Sequence, residues 1–231
     1  MSLAIAAFDS REAAMKAAAD RLEQALKDGL AARGHACAAL SGGSTPEPAY
    51  AALAARDLDW PKVTFALVDE RWLAPSDPGS NEAMLRRALA PALAKGATLL
   101  PMWSDAPSLA AGAERADALY AGLDIDIALM GMGADAHTAS WFPDTPDLAR
   151  ALDPQSARSV IAMHAPQAAA TPERLTLTLA AIKRARRIGV LITGEDKRAR
   201  LEAALSEPAN MAPFGVLVRE CAEKLDVIWA G

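Results

Sequence analysis

The sequence predicts an α/β fold, a doubly wound and mostly parallel sheet with helices on both faces. Three observations lead there. Short apolar runs of strand length alternate with longer stretches rich in alanine, leucine and charged residues, a pattern that implies crossover connections. The clearest of these runs, VTFALV at 63–68 and IALM at 127–130, are continuously apolar, as in strands covered on both faces. Hydrophobic residues make up 52% of the 231 residues, enough for a sizeable core and too many for a disordered chain.

The elements follow in order. Residues 3–8 form the first expected strand. Ser10 is placed to cap a helix running to about Arg33, where alanine, leucine and charged residues dominate. Residues 35–40 are again short and apolar. Pro46 suits the first turn of a further helix, where its missing N–H costs nothing. The strand at 63–68 comes next, then a polar loop at 75–80 and a helix over 81–90. Another helix is expected over 108–120, a strand at 124–130 and a weaker one at 159–163. Residues 175–179 alternate leucine with threonine, which suits either a strand or a helix start. A strand at 188–193, a helix over 197–205 and a short strand at 226–229 complete the chain. No internal repeat, low-complexity tract or evident linker divides it, so residues 1–231 read as a single α/β domain. The proline-rich stretch 143–172 reads either as a loop excursion over the site or as a small subdomain.

Composition narrows the function. A net charge of -5 argues against nucleic acid as the main partner. Cys37 and Cys221 lie far apart without zinc-type spacing, and read as small buried hydrophobes in a reducing compartment. The N-terminal residues show too short an apolar stretch for a signal peptide. No run approaches the roughly 18 apolar residues of a membrane span. A cytoplasmic protein is expected, with no membrane partner.

In an open parallel sheet, ligands bind where strands end at their carboxyl edge. Four segments occupy that position: 41–45, 69–72, 131–140 and 194–197. In the first, Gly42 and Gly43 allow positive φ and close backbone approach, a helix N-terminus follows, and Ser44 and Thr45 add hydroxyl donors. Such a turn suits a phosphate without a lysine; a plain glycine turn with a helix cap is the other reading. Neither the Walker spacing nor GxGxxG is present, and neither Ser44 nor Ser140 fits a GxSxG nucleophile elbow. Asp69-Glu70-Arg71 directly follows the best strand, and is either a solvated turn or part of a site; Arg71 has the fork geometry for a phosphate. Lys197 is a second candidate cation. His137 sits in a loop too polar to be core, beside Gly133 and Asp135. Imidazole is the usual general base near neutral pH, and a neighbouring carboxylate orients it. No histidine pairing supports a metal.

These motifs together resemble a known family. Ser41-Gly42-Gly43-Ser44-Thr45-Pro46, Asp69-Glu70-Arg71, Ser80-Asn81, Gly131-Met132-Gly133 through Asp135, His137 and Ser140, and Arg174-Leu175-Thr176-Leu177-Thr178 occur in the order seen in 6-phosphogluconolactonases. The resemblance spans about residues 40 to 200, with Gly194 and Lys197 matching a later position and 211–218 matching weakly. It implies a cytoplasmic enzyme that hydrolyses 6-phospho-D-glucono-1,5-lactone in the pentose phosphate pathway without metal or organic cofactor, as a monomer or small homo-oligomer. It implies the fold shared with glucosamine-6-phosphate deaminase and ribose-5-phosphate isomerase. By resemblance His137 activates water with Asp135 beside it, while Ser44, Thr45, Arg71, Lys197 and Arg174 contact phosphate and sugar, with Asp69 near the substrate. The family usually carries Asp-Gly-His; here Ala136 replaces the glycine. If the position needs positive φ, alanine costs about 1 kcal/mol or more.

Two rivals compete with this reading. Deaminases of the same fold also carry an Asp-x-His loop, but continue it to an Asn-Glu-Pro segment. Here the chain reads Ser140-Trp141-Phe142-Pro143, with no carboxylate until Asp144. A sugar-phosphate-binding regulator without catalysis is the other rival, and intact Asp135, His137 and Arg71 argue against it.

Overall fold

The computed structural model describes residues 3–231; the reading of the N-terminus as leaderless includes Met1 and Ser2, which lie outside them. The chain runs β1 (Ile5–Phe8), α1 (Arg11–Arg33), β2 (Ala36–Leu40), α2 (Glu47–Ala54), β3 (Val63–Leu67), β4 (Asp69–Arg71), α3 (Asn81–Ala88), α4 (Ala90–Ala94), β5 (Thr98–Leu99) and α5 (Leu109–Tyr120). It continues with β6 (Ile127–Met130), α6 (Leu148–Ala151), β7 (Val160–His164), β8 (Glu173–Leu177), α7 (Leu179–Arg184), β9 (Arg187–Thr193), α8 (Glu195–Ala204), α9 (Pro213–Cys221) and β10 (Leu225–Ala230).

Seven strands form a parallel sheet in the order β1-β10-β9-β6-β2-β3-β5. Every residue of β2 and of β6 is buried. Successive side chains of a strand point to opposite faces, so both faces of the sheet centre are covered. The 23-residue helix α1 supplies much of that cover, through Leu22, Leu26 and a run of buried alanines. Ser10 caps it as expected, accepting from the Ala13 N–H at 3.1 Å, and Gly34 closes it in the left-handed conformation at φ 76°.

The strand order places a switch point beside β2. The chain leaves β2 toward β3 and β5 on one side, then returns to place β6 on the other. Crossovers on the two sides diverge there and leave a crevice at the carboxyl ends of β2 and β6. The 41–45 and 131–140 segments leave the sheet at that crevice, joined by a Ser41 N–H bond to the Leu129 carbonyl at 3.1 Å.

A second sheet departs from the expectation. Asp69-Glu70-Arg71 is a strand, β4, in a three-stranded antiparallel sheet of order β4-β8-β7. Both alternatives for 175–179 are partly realised: β8 runs to Leu177, and Thr178 then caps α7 by accepting from Ala181 at 3.1 Å. The 143–172 stretch contains α6 and β7, and β7 is the edge strand of this second sheet.

Candidate active site

The crevice opens into a cleft of about 300 Å³. Gly42, Gly43, Thr45, Asp69, Arg71, His137, Arg174 and Lys197 all line it. Of the residues singled out from the sequence, Ser44 lies elsewhere, in a neighbouring depression with Arg11 and Lys16. Asp135 stands behind His137.

The histidine loop is built by tight turns. Gly133 N–H donates to the His137 carbonyl at 2.8 Å, and Ala136 N–H donates to the Gly133 carbonyl at 3.1 Å. Ala136 has φ 63°, so the position does require the left-handed conformation, and alanine carries the strain there. Gly133 is required for another reason: a Cβ on it would lie 2.1 Å from His137 Nδ1. The bare glycine leaves room for the ring. Asp135 Oδ1 lies 2.6 Å from Nδ1 and also accepts the His137 backbone N–H at 3.1 Å. Burial pushes the Asp135 carboxyl up, but its bonds to His137 outweigh this and hold it below its ordinary value. An ionised Asp135 makes Nδ1 the donor and leaves the Nε2 lone pair free. The Phe142 ring packs on the imidazole with centroids 4.3 Å apart.

The opposite wall comes from the antiparallel sheet. Arg71 on β4 pairs directly with Arg174 on β8. Two cations placed opposite each other repel and destabilise a sheet. Burial lowers the Arg174 pKa, Asp69 opposes this, and the positive charge of Arg71 adds to the lowering. Arg174 donates to the Thr171 carbonyl at 3.0 Å and to that of Ala169. Arg71 donates to the Gly79 carbonyl, while its Nε is buried without a partner. A buried arginine, Arg174, facing a half-buried one, Arg71, whose Nε lacks a partner, makes a site that an anion would complete.

Several residues that support these groups were not assigned a role from the sequence. Glu70, fully buried, accepts the Asn81 and Glu82 backbone N–H groups at 2.7 Å and the Ser80 hydroxyl at 2.9 Å. Its carboxylate thereby sits at the positive N-terminus of α3. Burial pushes the Glu70 pKa up, and these bonds only partly counter it. Asn81 in turn donates to the Asp69 carbonyl at 2.9 Å. A Cβ on Gly42 would lie 1.9 Å from Asn81 Oδ1, so the glycine turn and α3 fit only without a side chain. Ser140 donates to Asp69 Oδ2 at 2.6 Å, tying the histidine loop to β4. Lys197 reaches over the same loop, donating to the Met132 carbonyl at 2.8 Å. Its pKa is lowered by burial, with Asp135 opposing. Ser80-Asn81 and Ser140 were visible only as parts of motifs; nothing local marks them as the braces of a buried carboxylate.

Among the described residues no cluster of three or more His, Cys, Asp or Glu side chains could hold a metal, and no helix is long and apolar enough to cross a membrane.

A charged cleft with one oriented base suits an enzyme that seizes a small anion and moves a proton. Comparison with known proteins gives that class a family. The family described as Glucosamine-6-phosphate isomerases/6-phosphogluconolactonase matches residues 9–229, and the chain belongs to it. A 6-phosphogluconolactonase of Mesorhizobium japonicum is 39% identical over 226 residues, covering 97% of this chain and 94% of that protein. One of Rhizobium meliloti is 37% identical with 100% of both covered. Among solved structures, a 6-phosphogluconolactonase from Shewanella baltica matches with a TM-score of 0.93 at 29% identity, covering 100% of this chain and 98% of that one.

Proposed function

We propose that this chain is a lactonase of the pentose phosphate pathway, hydrolysing 6-phospho-D-glucono-1,5-lactone to 6-phospho-D-gluconate in the cytoplasm. The observation that carries the reading is the sharing of one cleft by His137 and the opposed arginines Arg71 and Arg174. An unphosphorylated ester would leave the buried Arg71 Nε without a partner.

The phosphate anchors at the glycine turn with Thr45, Arg71 and Lys197, and Arg174 stands beside Arg71. Anchoring holds the lactone with C1 near His137. Nε2 takes a proton from water as the water oxygen bonds to C1. The resulting oxyanion needs donors. Gly133 N–H is already committed to the His137 carbonyl, which leaves the rest of the 131–133 backbone. Protonated His137 then returns its proton to the ring oxygen as the C1–O bond breaks. Lactones are reactive esters, so positioning and one acid–base group suffice, without a covalent intermediate. Deamination fits less well: Asp144, the first carboxylate after the loop, lies outside the cleft lining and accepts from Asn210 at 3.1 Å.

Lactone hydrolysis above the spontaneous background, wild type beside His137→Ala, tests the reading. The variant is expected to lose about 10²- to 10⁴-fold in kcat with modest change in KM. Near-normal turnover would remove His137 from the mechanism.

A further inference from the structure

We propose that Phe142 is a positioning residue for the reaction: its ring fixes the plane of the His137 imidazole and stabilises the imidazolium that forms as water is deprotonated. The inference rests on His137 acting as the base.

The geometry is specific. The Phe142 and His137 rings pack in a tilted pair, 4.3 Å between centroids with 31° between planes. Nδ1 is held by Asp135, but one hydrogen bond leaves the ring free to swing about it. Gly133 and Phe142 supply the walls that prevent this. Phe142 is itself almost fully buried and firmly mounted. Its carbonyl accepts from the Thr145 hydroxyl at 2.9 Å, and the preceding Trp141 donates from its indole to the Leu177 carbonyl at 2.8 Å. The Arg174 guanidinium lies 5.7 Å from the Phe142 centroid. One ring thus touches both the base and an arginine of the anion-binding wall.

An aromatic face attracts a cationic imidazolium more strongly than a neutral imidazole. His137 is neutral before the step. It becomes positive when the water O–H bond breaks, the N–H bond forms at Nε2 and the water oxygen bonds to C1. The ring therefore favours the transition state over the bound lactone, and interactions of that kind raise kcat while leaving KM nearly unchanged. Filling space alone would not discriminate between the two states.

Phe142→Met keeps most of the volume and removes the aromatic face; Phe142→Leu does the same with less volume; Phe142→Tyr keeps the face. Steady-state kinetics and thermal melting of these three beside wild type and His137→Ala separate the possibilities. The Met and Leu variants are expected to lose about 3- to 30-fold in kcat, with KM within about twofold. The Tyr variant is expected to keep kcat within about threefold. Should the Leu variant fold poorly, the Met variant decides. Wild-type kcat in Phe142→Met, or a loss in Phe142→Tyr as large as in Phe142→Met, overturns the inference. An active His137→Ala overturns the underlying reading instead.

Discussion

The two sheets serve the cleft in different ways. The seven-stranded parallel sheet meets it with turns that leave the carboxyl edge, where glycines and positive φ angles bring backbone and imidazole to the cleft lining. The three-stranded antiparallel sheet meets it with side chains standing on regular strands: Asp69 and Arg71 on β4, Arg174 on β8. Turns give reach and local strain, as at Ala136 with φ 63°. Strands give fixed register, which here holds two arginines opposite each other despite their repulsion. In the proposed mechanism the reactive group thus belongs to the loops at the sheet edge and most of the binding charge to the strand-built wall. Ser140 joins the two through its 2.6 Å bond to Asp69.

That division can be broken experimentally. Its largest consequence is the fall in kcat for His137→Ala, which alters the turn and leaves the wall intact. Next comes Arg71→Ala, which alters the wall alone. Losing a charge-assisted bond of about 1.5–3 kcal/mol raises KM roughly 10- to 100-fold, with kcat within a few-fold of wild type. A fall in kcat at unchanged KM would show that the wall takes part in chemistry. The tie between the regions is tested by Ser140→Ala, which leaves a buried carboxylate oxygen short of its donor. Urea unfolding is expected to show a loss of about 1–3 kcal/mol, and no loss would mean the tie contributes nothing. The smallest effect is that of Ala136→Gly. Relief of left-handed strain gains about 1 kcal/mol, but removal of a buried methyl costs about 0.8 kcal/mol and the unfolded chain gains freedom. The terms nearly cancel, so stability is expected to stay within about 1 kcal/mol of wild type with activity retained; a larger change in either direction would show that the turn's conformation is not what alanine resists.

Legibility followed the same line. The parallel strands were readable because continuous apolar runs such as 63–68 and 127–130 have few other uses, and glycine beside histidine marks a turn that carries chemistry. The antiparallel sheet was hidden by its own function. Asp69-Glu70-Arg71 has three charged residues and no apolar alternation, so it reads as a turn; only tertiary partners make it a strand. Glu70 is buried because α3 offers it backbone donors eleven and twelve residues away, and local pattern carries no trace of that. Arg174 was reached through the family resemblance alone. Ser44 read as a cleft residue because it follows two glycines, yet the turn aims it into the next depression. The strain at Ala136 was foreseeable from the residue that usually stands there.

The central claim is that a clamped phosphate presents the lactone to an imidazole across the cleft. Initial rates on 6-phospho-D-glucono-1,5-lactone and on the same lactone without phosphate, above their spontaneous hydrolysis, test it most directly. With at least two charge-assisted contacts to the phosphate, kcat/KM is expected to favour the phosphorylated lactone by at least about a hundredfold. Equal values for the two substrates would contradict the claim.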